Sequence, residues 1–132
     1  MYGTEYETGT IANSLGPLGN SRHNHNVPCA VCATTARGMQ LMVPARVNCP
    51  DDSWTKEYSG YLMTNSDLVA GNYFHRTKFV CVDREAEVLP HSALNPVSAL
   101  FYHVRVNSCG HEAFPCSAYD PQKELTCVVC SK

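Results

Sequence analysis

Glu124-Leu125-Thr126-Cys127-Val128-Val129-Cys130 carries β-branched, apolar residues between two cysteines and suits a strand better than a metal knuckle. Cys29-Ala30-Val31-Cys32 has the same spacing and the same texture. Residues three apart on a strand point to opposite faces, so the two cysteines of one pair cannot easily share a partner strand. Each C-x-x-C is therefore expected to bond outward, with the two pairs clasping each other as one possibility. Four more cysteines, Cys49, Cys81, Cys109 and Cys116, lie between the pairs. Cys109 and Cys116 are close enough to bracket a small loop.

Eight cysteines in 132 residues favour an oxidised, disulfide-stapled extracellular domain. Zinc is the rival reading. A zinc knuckle closes over a short loop, whereas these two pairs bracket most of the chain. Thioredoxin-like chemistry fits less well, because no βαβ pattern surrounds either pair. Eight cysteines allow about 105 connectivities, so spacing alone does not assign them.

The length implies one domain, and 44% hydrophobic residues are enough for a core that disulfides reinforce. A net charge of -2 offers no electrostatic footprint for nucleic acid. No apolar run approaches the roughly 20 residues of a membrane span, so no membrane insertion is expected. Met1–Thr10 carries no signal-peptide core, so the expected export implies a leader outside this sequence. There is no N-x-S/T sequon.

Residues 1–22 read as an irregular lead-in and 23–132 as the disulfide-stapled, β-rich domain. Strands are expected over Ala30–Thr35, Met39–Val43, Glu57–Thr64, Tyr73–Val82, Ala99–Val106 and Leu125–Cys130. In the fifth, Leu100, Tyr102, Val104 and Val106 alternate with Phe101, His103 and Arg105, the period of a half-buried strand. Turn residues separate the runs, as in Cys49-Pro50-Asp51-Asp52 and Ala70-Gly71-Asn72. Helix is limited to a turn or two near Arg84–Leu89 and Ser92–Leu94. The expected fold is mostly β with irregular loops, a single compact disulfide-rich domain with little helix.

No catalytic signature is present: no G-x-S-x-G, no H-E-x-x-H and no phosphate loop. Cysteine oxidation would also remove a thiolate nucleophile. A non-enzymatic protein is expected. His23-Asn24-His25-Asn26 places two imidazoles at metal-binding spacing, but a polar turn satisfying backbone groups is favoured because no third ligand is evident. Asp83, Glu85 and Glu87 alternate, so an extended segment brings three carboxylates toward one calcium ion; the competing reading is a solvated acidic face. Trp54, Tyr58 and Tyr61 crowd one region. Sugars stack on exposed rings, although core packing is the commoner fate and the one favoured for Trp54.

His23-Asn24-His25-Asn26-Val27-Pro28-Cys29-Ala30-Val31-Cys32 resembles the opening of the C-terminal non-collagenous domain of spongin short-chain collagens. Cys49-Pro50, Trp54-Thr55-Lys56-Glu57-Tyr58, Gly60-Tyr61-Leu62-Met63 and Cys81-Val82-Asp83 continue the resemblance. So do Leu100-Phe101-Tyr102-His103-Val104, Cys109-Gly110, Pro115-Cys116 and Glu124-Leu125-Thr126-Cys127-Val128-Val129-Cys130. Residues 1–27 lack the Gly at every third position that a triple helix needs. The chain is thus more similar to the secreted, stand-alone members, which include a sea-anemone galactose-binding lectin.

That resemblance implies a secreted homodimeric lectin taking terminal β-galactose on glycans through calcium. Local chemistry assigns Asp83, Glu85 and Glu87 to the ion and Arg84, His91 and Asn95 to the sugar. The alternative is an extracellular-matrix assembly module of the short-chain-collagen type with no small ligand.

Overall fold

A computed structural model describes residues 4–8, 17–33, 37–65, 68–69, 72–73, 78–93, 99–106 and 123–132. Eight strands occur among them: β1 (Thr4–Glu7), β2 (Gln40–Pro44), β3 (Thr55–Asn65), β4 (Leu68–Val69), β5 (Asn72–Tyr73), β6 (Phe79–Asp83), β7 (Ala99–His103) and β8 (Thr126–Ser131). The helical content described is one 3-10 turn, Asn20–Arg22. The protein is mostly β, and six of these strands form one sheet in the order β1-β7-β3-β8-β2, with β6 also on β3. β4 and β5 pair separately. No helix among the described residues is long and apolar enough to cross a membrane.

β3 is the axis. Its first half pairs antiparallel with β8, Thr55 opposite Ser131 through Tyr61 opposite Thr126, with a bulge between Lys56 and Tyr58. Further along, Met63–Asn65 pair with β7 and Gly60–Thr64 with β6. Leu62 marks the changeover, its N–H donating to Leu125 O at 2.8 Å while its carbonyl accepts from Val104 N–H at 2.9 Å.

Strand alternation then divides the core. Met63 and Val82 join Tyr6, Leu18, Ala86 and Phe101 in one cluster. Their strand neighbours Leu62 and Cys81 join Val104 and Cys127 in another. Successive residues of β3 and β6 therefore feed opposite faces, and the middle of the sheet is covered on both.

The C-terminal C-x-x-C behaves as strand geometry requires: Cys127 bonds to Cys81 and Cys130 to Cys49. In the chain-entropy view, either link alone removes about 4 kcal/mol of loop freedom from the unfolded chain. Clasping of the two C-x-x-C pairs is overturned, because both cysteines of the second pair are engaged elsewhere. Cys29 and Cys32 are free and exposed. Cys109 and Cys116 lie outside the described residues.

Two further expectations need correction. Ala30–Ala33 form no strand and are exposed, lacking a paired neighbour strand to cover them. Thr4–Glu7, placed in the irregular lead-in, is instead a strand parallel to β7, with Tyr6 opposite Phe101. Its alternation buries the Tyr6 ring in the first cluster on one face and Glu5 on the other. Glu5 is 0% exposed, and its carboxylate oxygens find no hydrogen-bond partner among the described residues. That polar sequence hid the strand.

Candidate functional site

Where β6 leaves the sheet, its chain turns over Gly60, which pairs with Asp83. Arg84 N–H donates to Ser59 O at 3.3 Å, and Ala86 N–H to Asp83 O at 3.1 Å. Asp83 Oδ1 accepts the Glu85 N–H at 2.9 Å, closing a side-chain turn. Ala86 inserts its methyl into the first core cluster, so the polar residues on either side are displayed outward.

The segment beyond is held by the N-terminal residues. Arg22 Nε donates to Ala86 O at 2.6 Å while its Nη1 donates to Leu18 O at 2.7 Å. The Tyr6 hydroxyl donates to Glu87 O at 3.2 Å. Burial pushes that phenol up to about 12, so it remains a donor across the working pH range. Leu89 N–H donates to Asn26 O at 3.1 Å. Ser92 Oγ closes the loop, donating to Leu89 O at 2.6 Å, accepting from Asn26 N–H at 3.1 Å and lying 3.2 Å from His25 Nδ1.

The outcome is a backbone anchored along its length whose charged side chains face solvent. Asp83, Arg84, Glu85, Glu87 and His91 are all exposed. Arg84 places its guanidinium 5.9 Å from the Tyr61 ring centroid, and Tyr61 in turn meets His103 edge-on at 5.9 Å. His91 adopts φ 59°, a left-handed conformation that costs a non-glycine residue roughly 1 kcal/mol. Asn95 lies outside the described residues, as does Leu94 of the suggested helical turn. Arg84–Leu89 contains a turn but no helix.

Asp83, Glu85 and Glu87 share this loop, but among the described residues no three or more His, Cys, Asp or Glu side chains are gathered where they could hold a metal ion. The His-x-His motif has structural partners instead: His25 meets Ser92, and His23 Nδ1 lies 3.5 Å from Glu7 Oε1.

Sequence reasoning missed the anchors Tyr6, Arg22, Asn26 and Ser92. Only the polar Ser and Asn beside the expected loops hinted at them. It also favoured the core for Trp54, which is half-buried, belongs to neither cluster and has Lys132 Nζ 5.9 Å from its ring centroid. A second surface feature is an open apolar groove of about 410 Å³ between β2 and β6, lined by Leu41, Met42, Tyr58, Phe79, Val80 and Val129 among others.

The chain matches no family model, no curated protein and no solved structure.

Proposed function

We propose that this protein is a secreted, non-enzymatic lectin recognising terminal β-galactose on glycans. The observation that carries the reading is the Asp83–Ser92 loop, whose backbone is fixed by Tyr6, Arg22 and Asn26 while Arg84, His91 and three carboxylates stay in solvent. Such a loop loses little further entropy when a weak, polyhydroxylated ligand binds. Carboxylate acceptors and a guanidinium donor complement vicinal hydroxyls through charge-assisted bonds. The resemblance to the spongin-type domains supports the same ligand class.

Calcium belongs to this proposal as the ion for Asp83, Glu85 and Glu87. It tolerates irregular sets of six to eight oxygens (carboxylates, carbonyls and waters). Asp83 Oδ2 is left for the ion while Oδ1 keeps the Glu85 N–H. A homodimer would supply the two sites that crosslinking of glycans requires.

Calorimetric titration of lactose, first with calcium and then with excess EDTA, tests the reading. Saturable binding supports a galactose lectin, and a fall in its affinity or stoichiometry in EDTA and in Asp83→Ala and Glu87→Ala variants supports the ion. Binding left unchanged by EDTA and by both substitutions removes calcium and keeps the lectin.

The second reading, a matrix assembly module, draws on the groove between β2 and β6, where Phe79 and Val80 are 47% and 39% exposed. Trimers in solution with no lactose response would favour it.

A further inference from the structure

Trp54 is the single tryptophan of the chain, and it stands in a built setting. The Cys49–Cys130 disulfide ties the start of its turn to β8. Thr55, immediately after it, pairs with Ser131. Between these fixed points Asp51 organises the turn. Its Oδ1 accepts from Ser53 N–H at 2.8 Å and from the Ser53 hydroxyl at 2.5 Å, while its carbonyl accepts from Trp54 N–H at 3.2 Å. The Ser53 bonds, aided by Lys132, hold the Asp51 carboxyl below its ordinary range. Lys132 Nζ donates to Ser53 Oγ at 2.9 Å beside the indole.

One surface position thus gathers a half-buried indole, a carboxylate, a hydroxyl and an ammonium group, the ammonium lying over one face of the ring and bonded to Ser53 Oγ. A pyranose is the ligand class with the matching pattern. It presents a patch of C–H bonds on one face for an aromatic plane and hydroxyls at its rim for charged groups. A protein partner would need a broader apolar area. The neighbours Asp51, Asp52, Ser53, Thr55 and Lys56 are instead polar and exposed.

We infer that Trp54, with Asp51, Ser53 and Lys132, forms a second, metal-independent subsite for a hexopyranoside. The inference rests on the lectin reading and extends it. Trp54 immediately precedes β3, whereas Asp83 pairs with Gly60, about 17 Å along that strand from its first residue, Thr55. The two subsites are therefore distinct, and a single chain could engage two sugar residues without a dimer.

Because Trp54 is the sole tryptophan, its fluorescence reports this subsite directly. Lactose is titrated in EDTA while emission is followed, with calorimetry in parallel. The expected result is a saturable emission change with a midpoint on the order of millimolar. Trp54→Ala should weaken calorimetric binding in EDTA roughly tenfold. Asp51→Asn retains an acceptor for both Ser53 bonds and should shift the emission midpoint severalfold. An emission change seen only with calcium would overturn metal independence. Flat emission alongside heat of binding would overturn the subsite and leave the lectin standing, whereas flat emission without heat in either buffer would remove both.

Discussion

A β-carbon on Gly60 would stand 1.7 Å from the carbonyl oxygen of Val82 and 2.8 Å from the amide nitrogen of Arg84. Those neighbours are backbone, so no side-chain rotation can make room. The close approach is what lets β6 pass over β3 and turn at Asp83 into the candidate loop. Gly60→Ala is expected to cost about 3 kcal/mol or more, by forcing β6 away from β3. Urea denaturation would measure it. A loss within about 0.5 kcal/mol of zero would show that the strands are not so tightly apposed.

Tyr6→Phe removes one bond from the loop while leaving the ring in the core. The lost hydroxyl leaves Glu87 O without this donor, a cost of about 1 kcal/mol. Lactose binding should weaken while the fold persists, because the bond holds the loop rather than the sheet. Equal binding by Tyr6→Phe and wild type in calorimetry would show that this anchor is irrelevant to the site.

The strands that carry the sheet were legible as short β-prone runs bounded by turn residues, whereas the alternation expected over Ala99–Val106 was not kept, because β7 ends at His103 and buries Phe101 rather than Leu100 and Tyr102. Met39–Val43, Glu57–Thr64 and Leu125–Cys130 correspond closely to β2, β3 and β8. Thr4–Glu7 was not legible, since its burial comes from pairing with β7 some 95 residues away (Thr4 opposite Ala99), with no apolar run of its own. The Asp83–His91 segment was recognised as exposed polar chemistry, but its anchors were not. Each anchor is a long-range contact, Tyr6 to Glu87 or Arg22 to Ala86, and leaves no local spacing to read. The partners of Cys127 and Cys130 were equally hidden, although their need for different partners followed from strand geometry.

His91 combines a left-handed backbone with an exposed imidazole in the candidate site. Strain of this kind persists where something other than stability selects the residue. His91→Gly should leave stability unchanged or raise it by up to about 1 kcal/mol, since relief of strain competes with the added freedom of the unfolded chain. Lactose affinity should fall in the same variant. Lower stability with unchanged affinity would show that the imidazole serves the fold.

His103 gives the fold a pH dependence. Burial, opposed by Glu124 and reinforced by Arg105, lowers its pKa from 6.5 to about 4, and its ring nitrogens have no hydrogen-bond partner among the described residues. Folding therefore favours the neutral ring, and the unfolded chain binds the extra proton first. Stability from this residue is full above pH 6.5, declines as pH falls toward about 4 and is flat below that. The loss across the window is about 3 kcal/mol. His103→Phe keeps a ring against Tyr61 and removes the titration. Carboxylates also protonate at the acid end of this range, so the informative quantity is wild type minus His103→Phe in urea denaturation at pH 7.5 and about 4.5. That difference should shrink in favour of the variant on acidification. A constant difference would place the imidazole in water.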